Sequence, residues 1–151
     1  YAKLTHRGLN AGETEVQVPI TTELDPDAGE VHGLPTELGR VLINLLQNAY
    51  YAVLERYRQA GPEFAPRIEV SSARIGEDVE IRVRDNGVGI DPQIRDKIFD
   101  PFFTTKKGRE GSGLGLSLSR DIVVKGHGGS LEVESEPGEF AEFIVRIPRS
   151  G

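Results

Sequence analysis

Apolar and polar residues alternate strictly along several short stretches of the chain. In residues 79–84 the apolar residues are Val79, Ile81 and Val83, and a charged residue follows each of them. This pattern predicts a strand with one buried face and one exposed face. Similar patterns predict strands at residues 15–20, 67–73, 130–135 and 142–147, and a short one at 31–34. Turn residues at 76–78 and 136–138 predict two hairpins, and the acidic segment 21–30 is predicted to be a loop or a hairpin.

A long helix is predicted from Pro35 to about Arg58, with Gly61 and Pro62 ending it. Its apolar residues recur at helical spacing and are Leu38, Leu42, Leu45, Leu46, Ala49 and Val53. Two shorter helices are predicted, one after Asp91 and Pro92 and one that begins near Gly113 and ends at residues 126–129. Hairpins with few helices predict an α+β two-layer sandwich, a mixed, mostly antiparallel sheet with helices packed on one face.

The long helix also carries two asparagines, Asn44 and Asn48, one turn apart on a single line. Asparagine is a poor helix former, and a buried amide costs stability unless it is hydrogen-bonded. The pair is therefore a candidate for function, because an amide oxygen suits Mg²⁺, although a hydrogen-bonded core amide is the alternative. Glu37, two turns before Asn44, fits either a site role or a favourable charge at the helix start.

Composition excludes several classes of protein. The chain has 151 residues and a net charge of −6, without a basic patch, so we expect no nucleic-acid partner. It has no cysteine for a disulfide or thiolate metal site, and no apolar run near the length of a membrane span. We expect one domain, residues 1–151, in the cytoplasm. The chain starts at Tyr1, so we expect a fragment of a longer protein, which can be membrane-anchored.

The run from Asp85 to Ile90 places an acid at the end of a predicted strand, followed by Gly87 and Gly89. Glycine adopts positive φ and lets a backbone approach a ligand closely. The Asp85 carboxylate can accept a hydrogen bond from an amino group held in that turn, such as the amino group of adenine. By itself this pattern is also common in ordinary turns between a strand and a helix.

A second glycine-rich run, residues 111–116, precedes the last predicted helix. Free backbone N–H groups and the positive end of a helix dipole bind phosphate, and a Cβ there would hold the phosphates away. The polar loop before it, residues 104–111, has no periodicity and is predicted to be a mobile lid. Its cations are Lys106, Lys107 and Arg109; each alone is expected to be solvated, but one should reach a phosphate. The aromatic residues Phe99, Phe102 and Phe103 are expected to anchor the lid and the core.

Four features follow one another along the chain: the helix with Asn44 and Asn48, the Asp85 glycine turn, the aromatic segment 99–103 and the glycine-rich run 111–116. Their order and spacing resemble the N, G1, F and G2 boxes of the catalytic, ATP-binding domain of two-component sensor histidine kinases, in the GHKL ATPase superfamily. The resemblance covers about residues 16–148. It implies ATP and Mg²⁺ as cofactors, with Asn48 as the Mg²⁺ ligand and Asn44, Asn48 and Lys106 as catalytic residues. The nucleotide-binding residues that it implies are Asn44, Asn48, Tyr51, Asp85, Gly87, Gly89, Ile90, Thr104, Lys106, Gly111, Ser112, Gly113, Leu114, Gly115 and Leu116.

The resemblance further implies transfer of the γ-phosphoryl group to a histidine on a separate dimerisation domain, with a response regulator downstream. None of the histidines His6, His32 and His127 has the neighbours typical of that acceptor, so the acceptor is expected outside this chain. We therefore expect a monomeric fragment of a homodimeric parent. Two departures bear on catalysis. Tyr51 replaces a frequent Lys or His, which leaves more phosphate charge to the lid cations or Arg58, and Ala141 lacks a hydroxyl common near the adenine.

Asn44 also separates this chain from relatives of the gyrase type, which carry at that position a glutamate that activates water. The resemblance therefore implies little hydrolysis of ATP by the chain alone. Two alternatives remain open, a nucleotide-sensing module without catalysis and a self-sufficient ATPase. Transfer to serine, as in the related anti-sigma kinases, is disfavoured by the aromatic segment and by the Gly-Leu-Gly-Leu helix start.

Overall fold

The structure is a computed structural model, and it describes residues 18–24, 35–100 and 115–148. Five strands form one sheet in the order β1-β2-β3-β5-β4. Their bounds are β1 Ile20–Leu24, β2 Ile68–Ile75, β3 Asp78–Asp85, β4 Ser130–Glu136 and β5 Phe140–Pro148. Strand β1 runs parallel to β2, and the other neighbours are antiparallel. The predicted mixed, mostly antiparallel sheet and both predicted hairpins are confirmed.

Two helices pack against one face of this sheet. Helix α1 spans Pro35–Ala60, and helix α2 spans Gly115–Asp121 and continues into a wider turn at Ile122–Gly126. Helix α1 ends because Gly61 adopts a φ of 91° and its N–H donates to the Tyr57 carbonyl oxygen at 2.8 Å. None of the helices in the described ranges is long and apolar enough to cross a membrane.

The core lies between α1 and the sheet, as the apolar patterns predict. Residues at helical spacing on α1 meet alternate residues of the strands, and the largest of these side chains are fully buried. They include Tyr50, Leu45, Leu46 and Leu54 from α1, Ile68 and Val83 from β2 and β3, and Leu131 and Ile147 from β4 and β5. The two-layer α+β sandwich is therefore confirmed.

Two predicted local structures differ from the structure. Residues 21–24, predicted to belong to a loop or a hairpin, form most of β1, which pairs in parallel with β2 from Ile20 opposite Ile68. The two threonines in this segment favour strands, and a parallel partner far along the chain satisfies the backbone. The helix predicted after Asp91 is a single 3₁₀ turn at Arg95–Lys97, while Asp91 Oδ1 accepts the Gln93 N–H at 2.8 Å. The strand predicted at 31–34 lies outside the described residues.

The face of the sheet opposite the helices carries a network of paired charges. The Glu80 side chain on β3 is only 6% exposed, and it accepts hydrogen bonds from Arg82 Nε at 2.7 Å and Arg146 Nε at 2.8 Å. Arg82 also donates to Glu142 at 2.7 Å, which links β3 to β5. Burial alone would raise the pKa of Glu80, but the hydrogen bonds and charges of the two arginines outweigh it and lower the pKa below 4.5.

We expect Glu80→Gln to lower the free energy of unfolding at neutral pH by about 1.5–3 kcal/mol, the range for hydrogen bonds to a charged group. Because the pKa of Glu80 is lowered on folding, this stabilisation is present above pH 4.5 and is lost as the pH falls below it. Urea denaturation across a pH series measures both effects. Glu132→Gln, an exposed carboxylate on the same face, is the control. Equal stability of the two variants at neutral pH would contradict this account.

Candidate functional site

Asp85 lies at the end of β3 with its carboxylate inside the protein. The residue is 2% exposed, and its Oδ1 accepts the Gly87 N–H at 2.8 Å. Its neighbours across the sheet are Ile68 on β2 and Ala141 on β5. Ala141 is itself buried, and its methyl group brings no donor to the carboxylate.

Burial has a large effect on the acidity of this group. It raises the pKa of Asp85 from 3.8 to about 7, although the Gly87 hydrogen bond and the positive charge of Arg84 act in the opposite direction. A donor group that binds to the carboxylate favours its charged form. This end of the site is therefore suited to a hydrogen-bond donor such as a neutral amino group of a ligand.

The two glycines of this turn are required for different reasons. A Cβ on Gly87 would lie 2.4 Å from the backbone carbonyl carbon of Ala52, so only glycine lets the turn pack against α1. Gly89 has a φ of 74°, and a Cβ there would lie 2.5 Å from the Glu136 carbonyl oxygen. The close approach predicted for the turn is thus an approach to protein backbone on both sides.

Hydrogen bonds from three directions hold the turn in place. The Val88 N–H donates to the Ala52 carbonyl oxygen on α1 at 3.3 Å, and the Val88 carbonyl accepts the Gly138 N–H at 2.7 Å. The Ile90 N–H donates to Ser135 Oγ on β4 at 2.7 Å. The backbone after Asp85 is therefore fixed by α1, by the β4–β5 hairpin and by β4 itself.

Asn86 binds the turn to a fourth segment. Its Oδ1 accepts the Arg67 N–H at 2.7 Å, and its Nδ2 donates to the Ala65 carbonyl oxygen at 2.9 Å. Neither Asn86 nor Ser135 was identified by sequence reasoning, because both bind backbone groups remote along the chain. The available signal was an asparagine next to two glycines, which is usually an ordinary turn residue.

The predicted asparagine pair lies where α1 crosses the start of α2. Asn44 Nδ2 donates to the Gly115 carbonyl oxygen at 3.3 Å and to Ser119 Oγ at 3.1 Å. Asn48 Nδ2 donates to the backbone carbonyl oxygen of Asn44 at 2.8 Å, and this bond orients the Asn48 amide so that its Oδ1 points away from that carbonyl. Ser119, fully buried, is a further residue that sequence reasoning missed.

The remaining predicted site residues in the described ranges are distributed along α1 and α2. Gly115 lies beside Asn44, since a Cβ added to Gly115 would be 3.9 Å from Asn44 Cγ. Leu116 packs against the core. Tyr51 is half-buried, one turn beyond Asn48, and its ring meets Tyr50 edge-on. Glu37 is half-buried in the first turn of α1. Arg58 is exposed near the other end, about 21 Å along the helix axis from Asn44.

The start of the aromatic segment is tied to α2. The Phe99 ring packs edge-on against Phe143 at a centroid distance of 6.4 Å, and the Arg120 guanidinium lies 5.0 Å from its centroid. Phe99 therefore contributes to the core, as predicted. Predictions for Thr104, Lys106, Gly111, Ser112, Gly113 and Leu114, and for the other lid cations and aromatic residues, fall outside the described residues.

Helix α1 joins the two parts of the candidate site. Asn44 and Asn48 lie near the middle of α1, and Ala52, one turn after Asn48, contacts the glycine turn. One rigid helix thus carries the two amides and, one turn further on, supports the turn that follows the buried carboxylate. This arrangement suits an elongated ligand with an amino group at one end and oxygen-rich groups at the other.

Comparison with known proteins agrees with this geometry. The family described as "Histidine kinase-, DNA gyrase B-, and HSP90-like ATPase" matches residues 33–151. The chain is 41% identical to the two-component sensor PprA of Pseudomonas aeruginosa over 96% of its length, and 36% identical to the signal transduction histidine-protein kinase AtoS of Escherichia coli over 89%. It spans 15% and 20% of the lengths of these two relatives. The catalytic domain of histidine kinase ThkA superposes with a TM-score of 0.73 at 33% identity, covering 89% of this chain and 82% of that one.

We expect the unfolding free energy of the wild-type chain to fall, relative to that of Asp85→Asn, as the pH rises from about 5 to about 8. Because the pKa of Asp85 is raised from 3.8 to about 7 on folding, the folded chain keeps the Asp85 proton between these two pH values, whereas the unfolded chain has already released it. The stability that this proton contributes is therefore lost as the pH rises toward 7. The expected change is about 2–3 kcal/mol, since the difference changes by about 1.4 kcal/mol for each pH unit between pH 5 and the pKa of about 7, and levels off above it.

Urea denaturation of the ligand-free chain at several pH values measures this difference. Asp96→Asn, which replaces an exposed carboxylate, serves as the control and should track the wild type. A constant difference between wild type and Asp85→Asn across the series would show that the Asp85 carboxyl is not protonated near neutral pH.

Proposed function

The chain belongs to the family of histidine kinase-, DNA gyrase B- and HSP90-like ATPases, and we propose that it binds ATP with Mg²⁺ and donates the γ-phosphoryl group to a histidine on a separate dimerisation domain. The proposal treats the chain as one catalytic domain of a two-component sensor kinase. The observation that carries it is the buried Asp85 carboxylate, held in a glycine turn against the same helix that presents Asn44 and Asn48.

The Asp85 end of the site is proposed to bind adenine. A buried carboxylate costs free energy unless a donor reaches it, and the exocyclic amino group of adenine is such a donor. Guanine presents a carbonyl oxygen at the equivalent position, which would face the carboxylate unfavourably. Ala141 lies beside Asp85 on β5, and its small apolar side chain offers no group that would compete with the base for the carboxylate.

The Asn44 and Asn48 end is proposed to bind the triphosphate and Mg²⁺. In the described part of the chain no group of three or more His, Cys, Asp and Glu side chains could hold a metal alone. Mg²⁺ does not need such a cage, because it takes few protein oxygens and completes its shell with water and phosphate oxygens. The amide oxygen of Asn48 fits that ligand set, and the bound ion would neutralise phosphate charge.

The remaining phosphate contacts are proposed for the chain around the start of α2. Gly115 is held to Asn44, and the run from Gly111 to Leu116 would supply backbone N–H donors. Lys106 is proposed as the cation that reaches the γ-phosphate. Thr104 would border the same site, and Tyr51 would add a hydroxyl without a charge.

The proposed chemistry requires no base from this chain. The Asn44 amide cannot accept a proton from water, and its nitrogen donates two hydrogen bonds to α2, one to Gly115 and one to Ser119. The chain would act by positioning the nucleotide and by neutralising charge, which is the main requirement of phosphoryl transfer. The acceptor domain would supply the nucleophilic histidine, a response regulator would take the phosphoryl group onward, and the reaction would draw on cytoplasmic ATP.

We expect the purified chain to bind ADP and a non-hydrolysable ATP analogue saturably, and to bind GTP far more weakly. Asp85→Asn should weaken the binding of adenine nucleotides by about 1.5–3 kcal/mol, the range for a hydrogen bond to a charged group. Isothermal titration calorimetry with and without Mg²⁺ measures both. The control is Asp96→Asn, whose carboxylate is exposed and belongs to the 3₁₀ turn at Arg95–Lys97.

Equal affinity of wild type and Asp85→Asn would exclude Asp85 as the adenine contact. No binding of any nucleotide by the wild-type chain would contradict the proposed function as a whole, since the site would then lack its ligand.

We expect phosphoryl transfer from ATP to a histidine-containing dimerisation domain only when Mg²⁺ is present. Asn48→Ala should reduce this transfer by about tenfold or more and remove the Mg²⁺ dependence of ATP binding, because the ion loses its protein oxygen. Radiolabelled ATP and acid-labile phosphate on the acceptor provide the measurement. Gln47→Ala, an exposed amide adjacent on α1, is the matched control.

Two other outcomes identify the competing functions. Tight ATP binding without transfer to any acceptor would indicate a nucleotide-sensing module, whereas steady phosphate release by the chain alone would indicate a self-sufficient ATPase. Loss of apo folding in Asn48→Ala would instead indicate that Asn48 is a structural core amide.

A further inference from the structure

Arg56 on α1 reaches across the glycine turn and binds two separate loops. Its Nη1 donates to the Asn86 carbonyl oxygen at 2.9 Å and to the Glu139 carbonyl oxygen at 3.2 Å. The guanidinium also lies 4.7 Å from the centroid of the Phe64 ring, so a stacked aromatic side chain helps to hold it in place. Arg56 is half-buried, unlike Arg58 two residues later.

The two carbonyl groups that Arg56 binds belong to the two sides of the Asp85 turn. Asn86 directly follows Asp85, and Glu139 lies in the hairpin turn whose Gly138 N–H donates to the Val88 carbonyl. One guanidinium therefore closes a ring of contacts that runs from α1 to the turn, to the hairpin and back to α1. A displacement of either loop would change the position of the Asp85 carboxylate.

Helical spacing connects Arg56 to the other end of the site. Asn48, Ala52 and Arg56 follow one another at intervals of four residues and lie along one line of α1. Ala52 limits how closely Gly87 can approach the helix, and Arg56 binds the carbonyl oxygen of the preceding residue, Asn86. The distance from Asn48 to Arg56 along the axis is about 12 Å.

We propose that Arg56 is a positioning residue for nucleotide binding, one that sets the placement of Asp85 relative to Asn44 and Asn48. This inference rests on the proposed function, because it assigns Arg56 to the adenine end of that site. Arginine suits the role because the two N–H bonds of Nη1 are fixed in the plane of the guanidinium, so this one nitrogen can donate to both carbonyl oxygens. Lysine carries the same charge but lacks the rigid fork and the flat surface that stacks on Phe64.

A double-mutant cycle with Asp85→Asn tests whether Arg56 acts through Asp85. Calorimetry gives the ADP affinity of the wild type, Arg56→Ala, Asp85→Asn and the double variant. Arg56→Ala should weaken ADP binding about tenfold in the wild-type background and have almost no effect when Asp85 is already asparagine. Arg56→Lys should be intermediate, and Gln59→Ala, which replaces an exposed side chain on the same helix, should leave ADP affinity unchanged.

Thermal unfolding of each variant without nucleotide separates positioning from stability. If Arg56 only stabilises the fold, its replacement lowers the melting temperature and weakens ADP binding equally in both Asp85 backgrounds, and the inference is wrong. If Arg56→Ala does not fold, Arg56→Lys is carried through the same cycle and decides the question. Unchanged ADP affinity in the Arg56 variants overturns this inference alone, whereas a wild-type chain that binds no ADP overturns the proposed function first.

Discussion

The backbone contact between Gly87 and Ala52 constrains the whole candidate site. A single added Cβ at Gly87 would lie 2.4 Å from the helix backbone, so the turn and α1 are in direct contact there. Helix α1 cannot move away from the turn, because it is packed against the sheet through its buried apolar side chains. One rigid helix consequently determines the position of the turn relative to the asparagine pair. Asp85 directly precedes this turn, so its position is determined by the same contact.

Two buried carboxylates on the same strand show what this placement costs. Glu80 is on the helix-free face and receives hydrogen bonds from two arginines, which lower its pKa despite its burial. Asp85 is on the core face, where the backbone N–H of Gly87 donates to it, and its pKa rises to about 7. Glu80 is thus satisfied by the protein itself. Asp85 carries an electrostatic penalty that a bound amino group would relieve, as expected for a group that serves a ligand rather than stability.

Sequence patterns predicted the features that depend on local periodicity and on local exceptions to it. The hairpins and α1 follow from spacing, and Asp85, Asn44 and Asn48 stood out because polar groups interrupt apolar patterns. The parallel pairing of residues 21–24 was missed, since its partner Ile68 is remote along the chain. Arg56 was missed for the same reason: its carbonyl acceptors lie 30 and 83 residues away, and a charged residue on a helix has no local sign of such bonds.

The two ends of the proposed site are assembled differently. The Asp85 end is fixed by several backbone contacts from α1, β4 and the β4–β5 hairpin. At the other end, the Asn44 side chain binds α2 through the Gly115 carbonyl oxygen and Ser119 Oγ. Asn44 is thus connected to the helix that directly follows the glycine-rich run. A nucleotide that spans the site would therefore meet a preformed adenine end, and would gain its remaining contacts where Asn44 couples the two helices.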